Sequence, residues 1–175
     1  MRLFIAVDAD DVSDYFKELQ RRINFRGINF VKSFHITLHF LGEVDEVQVQ
    51  TIKTALSTIK HSKIKAKISE IGFFPDETKM RVIWAGVRPE DKIIELQSMV
   101  DDCLLPLGIK KDSLFKPHIT IARIKFLKNK HNLKECVRDI KVESREFTMK
   151  SIKLVKSTLL SEGPVYETIA EFPLS

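Results

Sequence analysis

The chain has 175 residues, a length that favours one domain or two small lobes sharing a core. Hydrophobic residues make up 43% and charged residues 30%, which is typical of globular proteins and excludes a disordered chain. No apolar run reaches the roughly 18–20 residues that a bilayer span needs, which excludes a transmembrane helix. The net charge of +5 is compatible with a polyanionic partner but does not require one.

The cysteines and the N-terminus indicate the compartment. The first eleven residues, MRLFIAVDADD, contain only a short apolar stretch before they turn acidic, and they predict a buried strand, not a signal peptide. The two cysteines, Cys103 and Cys136, are too few and too far apart to form a disulfide framework. We therefore expect a cytoplasmic protein in a reducing environment.

Strands and helices alternate along the chain. Apolar residues in short runs or at every second position predict strands, and apolar residues three or four apart predict amphipathic helices. In chain order these patterns predict a strand at 3–7, a helix at 12–23, a strand at 34–42, a helix at 49–59, strands at 64–74 and 82–87, a helix at 93–104, a strand at 117–124, a short helix around 132–140 and two or three strands in 143–173. No low-complexity linker divides the chain, so residues 1–175 are expected to form a single two-lobed domain.

One short motif occurs twice. His-Ile-Thr followed by an apolar residue begins at His35 and again at His118, a separation of 83 residues that is close to half the chain. Each copy lies in a predicted strand, and helices occur at comparable places in both halves. Duplicated halves often pack about a pseudo-two-fold axis, which would bring the two strands together at one cleft.

The residue types in this repeat suit phosphoryl chemistry. Side chains alternate faces along a strand, so His35 and Thr37 share one face, and His118 and Thr120 share the equivalent one. One imidazole can accept a proton from an attacking water while the other protonates a leaving oxygen. A hydroxyl can stabilise an anionic oxygen that gains charge in the transition state. The pattern favours in-line displacement at phosphorus without a metal or a cofactor, although a duplicated structural hairpin would give the same repeat.

At these residues the sequence resembles the two-histidine phosphoesterase superfamily, in the branch of RNA 2′,3′-cyclic phosphodiesterases, also called 2′-5′ RNA ligases. The resemblance extends over essentially the whole chain. The matching segments are RLFIAV (2–7), HITLHFLGE (35–43), KPHITIAR (116–123), and GPVYE followed by AEFPL within 163–174.

The resemblance implies an α+β fold with two pseudo-symmetric lobes flanking a central cleft. Each lobe would be a mainly antiparallel sheet with helices on its outer face. The implied substrate is an RNA or nucleotide with a 2′,3′-cyclic phosphate end, and the implied product is a 2′-phosphate. His35 would protonate the leaving 3′ oxygen, His118 would activate water, and Thr37 and Thr120 would hold the non-bridging oxygens; pseudo-symmetry also allows the two histidines to exchange roles.

Two further candidate residues, Arg123 and His39, lie near the motifs. Arg123 matches a family arginine that is implied to bind phosphate, but in a regular strand it faces away from His118. It reaches the cleft only if the strand ends, twists or bulges near Ala122. His39 shares a face with His35 by alternation, and we expect it at the margin of the cleft.

Three functions remain open on the sequence alone. The first is the cyclic phosphodiesterase. The second is the reverse reaction, ATP-independent 2′-5′ RNA ligation. The third is a non-catalytic nucleotide- or RNA-binding module. Nothing in the sequence sets the oligomeric state, for which a monomer is the default expectation. Aromatic residues that could stack a terminal base are Phe74, Phe115, Phe126 and Tyr166.

Overall fold

The computed structural model describes residues 1–175. The strands are β1 (Arg2–Asp8), β2 (Ile28–Phe30), β3 (His35–Glu43), β4 (Ile64–Phe74), β5 (Val82–Arg88), β6 (His118–Ile124), β7 (Glu146–Met149), β8 (Ser151–Leu160) and β9 (Gly163–Pro173). The α-helices are α1 (Ser13–Arg22), α2 (Glu46–Ser57), α3 (Glu90–Leu104) and α4 (Lys130–Asp139). Short 3₁₀ turns cover Asp10–Val12 and Leu105–Leu107.

Every helix and strand that the periodicity predicts is present, and the tail contains three strands. The sequence pattern missed one element, the three-residue strand β2. Its residues are at most half-buried, so they carry no apolar alternation, and the strand forms only because it pairs with the end of β6. Pro89 lies just before the first turn of α3, where an extended backbone suits it.

The sheet is antiparallel and consists of two four-stranded halves. Its strand order is β7-β4-β5-β6-β3-β1-β8-β9, with β2 added beside β6. The two halves meet between β3 and β6, where a single residue pair, Ile36 with Ile119, is in register. The expected α+β fold with two antiparallel halves is therefore confirmed, and the halves are joined edge to edge.

The pair at this junction reveals the internal symmetry. Ile36 and Ile119 are separated by 83 residues, the same offset as the two motifs, so each is the equivalent of the other. Antiparallel pairing of equivalent residues places a pseudo-two-fold axis through the pair. The helices obey the same relation, because α1 contacts β6 of the other half and α3 contacts β3.

One face of the sheet is covered and the other is open. The main core consists of 39 buried residues, and the inward residues of β1, β3, β5 and β6 join those of all four helices there. Ile36 and Ile119 are both fully buried in this core, whereas His35 and Thr37 face the opposite side. No helix in the structure has the length and apolar character required to cross a membrane.

The junction pair should be important for stability because both halves bury it. We expect Ile36→Ala and Ile119→Ala each to lower the free energy of unfolding by about 2–5 kcal/mol through the cavity they create. Val47→Ala, at a position 79% exposed, is the matched control and should change it by less than about 0.5 kcal/mol. Urea unfolding followed by circular dichroism measures all three, and equal effects at the three positions would contradict the assignment of the junction.

Candidate active site

The two His-x-Thr motifs form a square on the open face of the sheet, which we call the catalytic square. Ile36 pairs with Ile119 in antiparallel register, so one residue further in each direction His35 lies opposite Thr120, and Thr37 lies opposite His118. The two histidines therefore lie on one diagonal. Diagonal neighbours in a sheet are roughly 7–8 Å apart, which leaves space for a phosphate between the rings. All four side chains are half-buried.

A β-bulge follows each motif at the equivalent place. In β6, Ala122 pairs with Ile83 and Thr120 with Trp84, so Ile121 is an extra residue. In β3, His39 pairs with Ile5 and Thr37 with Ala6, so Leu38 is extra. Each bulge reverses the alternation of faces beyond it. The result is visible in the burial, since two consecutive residues are buried at each place.

The bulge in β6 places Arg123 on the open face. A regular strand would direct this side chain into the core, whereas the structure leaves it exposed beside the catalytic square. Its positive charge lowers the pKa of both His35 and His118, so it lies within electrostatic range of both rings. The sequence predicted that Arg123 would reach the cleft only if the strand ended, twisted or bulged near Ala122, and the structure contains such a bulge.

The equivalent bulge in β3 has the opposite consequence for His39. We expected this residue on the face of His35, at the cleft margin, and that expectation is wrong. The bulge turns His39 into the core, where it is 5% exposed and its Nδ1–H donates to Asp101 Oδ1 over 2.7 Å. His39 is therefore a buried structural residue behind the site.

Buried polar side chains from helices of the opposite half hold both bulges. Asp101 of α3 accepts the His39 hydrogen bond, and its second oxygen accepts the backbone N–H of Asp112 at 3.0 Å. Gln20 of α1 donates through Nε2 to the carbonyl oxygen of Ile121 at 3.1 Å. A helix of each half thus holds the motif-bearing strand of the other half. These contacts lie in the core and carry no sequence motif that would reveal them.

His118 has a defined tautomer. Its Nδ1 lies 2.7 Å from the carbonyl oxygen of Lys116. A carbonyl oxygen can only accept, so Nδ1 carries the proton and Nε2 of the neutral ring has a free lone pair. This arrangement suits a general base, because the backbone bond orients the ring and fixes which nitrogen accepts.

Burial favours the neutral form of both imidazoles. Desolvation is the main cause that lowers the pKa of His35 to about 4, and the carboxylate of Asp8 opposes this shift. Desolvation is also the main cause that lowers the pKa of His118, partly offset by its hydrogen bond to the Lys116 carbonyl. Arg123 adds to the lowering at both rings, so a negative charge placed between the rings would oppose the shift of both pKa values.

Aromatic rings flank both histidines. Phe4 and Tyr166 lie beside His35, with ring centroids 5.1 and 5.5 Å away. Phe74 contacts the ring of His118 edge-on at 4.8 Å and stacks on Trp84. Two of the four aromatic candidates, Phe74 and Tyr166, thus lie at the catalytic square.

Of the other two, Phe115 packs against the main core and Phe126 is exposed beside Gly27.

A groove of about 860 Å³ opens beside the catalytic square and is lined by Arg123 and Tyr166, two residues that flank the square. The sequence holds three clusters of lysines, at 60, 63, 65 and 67, at 125, 128 and 130, and at 150, 153 and 156, and of these only Lys125 lines the groove. Lys153 and Lys150 pair with Asp8 and Asp11, and Lys130 donates to a backbone carbonyl. The lysines in the groove wall are Lys125 and one that sequence reasoning missed, Lys32, three residues before the first motif.

Comparisons with known proteins identify the family of this chain. A family model described as LigT like Phosphoesterase matches residues 5–84 and 86–166, and each matched segment contains one His-x-Thr motif. A Methanocaldococcus jannaschii protein named RNA 2′,3′-cyclic phosphodiesterase is 40% identical over 98% of this chain and 100% of its own. A protein of the same name from Archaeoglobus fulgidus is 34% identical over 98% and 99%.

The chain belongs to the LigT-like phosphoesterase family. Among solved structures, a Thermus thermophilus protein superposes on this phosphoesterase with a TM-score of 0.83 and 28% identity, covering 99% of this chain and 98% of the other. E. coli LigT in complex with 3′-AMP gives a TM-score of 0.79 at 20% identity, covering 99% and 98%. The likeness to E. coli LigT shows a shared fold.

The hydrogen bond between His39 and Asp101 joins the two halves of this LigT-like phosphoesterase, and we call it the latch. Substitution of Asp101 tests its contribution to stability. We expect Asp101→Ala to lower the free energy of unfolding by about 3–5 kcal/mol, because His39 loses its partner inside the core. The matched control is the adjacent Asp102→Ala, which removes only an exposed pair with Lys111 and should cost no more than about 1 kcal/mol. Chemical denaturation measures both, and equal losses would show that the latch adds nothing.

Proposed function

We propose that this chain hydrolyses 2′,3′-cyclic phosphate ends of RNA or nucleotides to 2′-phosphates by two-histidine acid–base catalysis that needs no metal. The observation that carries the proposal is the diagonal placement of two imidazoles across the junction of the two sheet halves, with threonines on the other diagonal. The names of relatives that cover nearly the whole chain support the same substrate class.

The reaction needs one proton to leave a water and one to reach an alkoxide. We assign His118 as the base, because its neutral ring offers Nε2 as an acceptor. As water attacks phosphorus, the P–O3′ bond breaks on the opposite side, and the protonated His35 gives its proton to O3′. The product retains the phosphate on O2′, and the two histidines exchange protonation states over one turnover.

The remaining groups of the site stabilise charge. Thr37 and Thr120 occupy the other diagonal, and their hydroxyls suit the two non-bridging oxygens, which gain negative charge in the transition state. The guanidinium of Arg123 supplies a cation with planar, bidentate geometry. Because Arg123 lies on the groove side, we place it at the oxygens that face the incoming nucleotide.

The decisive experiment uses RNA with a 2′,3′-cyclic end in the presence of EDTA. We expect wild type to convert it to a 2′-phosphate, and His35→Ala and His118→Ala each to reduce kcat by about 10²–10⁴-fold, because each removes one proton transfer. Loss of both should cost less than the product of the single effects, since the two act as a unit.

The matched control for these variants is His131→Ala, an exposed histidine on α4. It should retain wild-type turnover. A 3′-phosphate product would reverse the assignment of the leaving oxygen. If wild type binds the RNA but does not turn it over, the chain is a binding module and not an enzyme.

The pH dependence follows from the depressed pKa values. The active form holds one proton on the histidine pair, and both pKa values lie below 6.5 in the free protein. The kcat/KM should therefore be maximal below pH 6.5 and fall as the pH rises. In Arg123→Gln a neighbouring cation is lost, the pKa values rise, and the alkaline limb should move to higher pH while kcat/KM falls roughly 10- to 100-fold.

Arg123→Lys separates charge from shape. It keeps the cation, so the alkaline limb should stay in place, but it loses the bidentate fork, so kcat/KM should still fall. An unchanged alkaline limb in both variants would mean that Arg123 does not act on the imidazoles.

A further inference from the structure

We infer that the groove beside the catalytic square binds the nucleotides that precede the cyclic end, which makes single-stranded oligonucleotides better substrates than mononucleotides. This inference rests on the proposed function and assigns the polymer-binding part of the same site. The groove volume of about 860 Å³ is far more than one phosphate needs. The groove is continuous with the catalytic square through Arg123 and Tyr166.

Two walls from different parts of the chain enclose the groove. One wall is β2 with the segment that leads to the first motif, and the other is the tip of the β8–β9 hairpin. The lining residues on these walls and beside them are Ile28, Asn29, Phe30, Val31, Lys32, Ser33, Arg123, Lys125 and the hairpin residues 160–166.

The charge of the lining suits a polyanion. Three cations, Lys32, Lys125 and Arg123, face a single carboxylate, that of Glu162. Lys32 and Lys125 are at least partly exposed, and neither takes part in a salt bridge. Ammonium groups without an internal partner are available to neutralise phosphates and release counterions.

The lining also offers surfaces for bases. Tyr166 lines the groove next to His35, where its ring can stack an unpaired base. The same hairpin contributes Leu160 and Val165, which are 55% and 53% exposed. Cations together with an aromatic ring and apolar groups along one groove are the combination that binds single strands with little sequence preference.

The groove lies on one side of the pseudo-two-fold axis only, and an RNA end likewise has a polymer on one side only. Strand β2 pairs with β6, but the equivalent segment of the other half, 111–113, forms no strand. A cyclic-phosphate end has a chain on one side only, since the 2′ and 3′ oxygens are both closed onto phosphorus. One extended wall next to a symmetric catalytic square therefore matches a terminal phosphate with a polymer on one side.

The test compares two substrates, 2′,3′-cyclic AMP and a tetranucleotide with a 2′,3′-cyclic end. We expect wild type to favour the tetranucleotide in kcat/KM. In the double variant Lys32→Gln, Lys125→Gln the ratio of the two kcat/KM values should fall about fivefold or more. The slope of log(kcat/KM) against log[salt] for the tetranucleotide should also become shallower by about 1.4, which corresponds to two phosphate contacts on a single strand.

Three further variants make this test specific. Lys60→Gln with Lys92→Gln removes the same charge from exposed lysines outside the groove, and it should leave the substrate ratio and the salt slope unchanged. Tyr166→Ala should lower the ratio roughly fivefold or more through lost stacking, and Tyr166→Phe, which keeps the ring, should leave it near the wild-type value.

The possible results separate the two proposals. A substrate ratio that stays the same in the groove variants, or a wild type that prefers the mononucleotide, overturns the inference while the proposed function stands. If wild type hydrolyses neither substrate, the proposed function fails. Whether the groove binds RNA is then tested by fluorescence anisotropy with a labelled tetranucleotide that ends in a 3′-phosphate. The inference requires this RNA to bind wild type more tightly than the Lys32→Gln, Lys125→Gln variant.

Discussion

The pairing of Ile36 with Ile119 is the contact on which the rest of the site depends. It lies at the only point where the two halves of the sheet are in register, and the pseudo-two-fold axis passes through it. His35 and His118 are adjacent to this pair in sequence, so the register of one buried pair fixes the spacing of the two imidazole rings. A shift by one residue would turn each ring into the core. Burial of the isoleucines and placement of the imidazoles are therefore one constraint.

The bulges show how a duplicated strand can acquire different functions at equivalent positions. Each strand contains an extra residue at the equivalent position, Leu38 in β3 and Ile121 in β6. Beyond that residue the faces on which the side chains lie are reversed in both strands. At the first position past the bulge the two copies hold His39 and Ala122, and both are buried. At the next position they hold Phe40 and Arg123, and both are exposed. The duplication supplies a symmetric frame, and substitution on that frame gives a cation on one side only.

The sequence predicted the helices, the longer strands and the repeated His-x-Thr residues, because these depend on local apolar periodicity and on a repeated motif. It could not predict the side of the strand on which Arg123 and His39 lie. A bulge is a property of the pairing with a neighbouring strand, and the partners Ile83 and Ile5 are distant in sequence. For the same reason the groove was not predictable, since β2 and the β8–β9 hairpin belong to opposite ends of the chain.

Under the proposed function, the electrostatics of the site would make the substrate part of the catalytic machinery. Acid–base catalysis needs one imidazolium, yet burial and Arg123 lower the pKa of both rings, and for His35 to about 4. A phosphate placed between the rings reverses this balance, because its negative charge favours protonation of the nearer imidazole. In the proposed reaction, the proton needed by the leaving oxygen would thus be taken up when the phosphodiester binds. In the free protein, the neutral pair avoids placing an uncompensated positive charge beside Arg123 in a half-buried cleft.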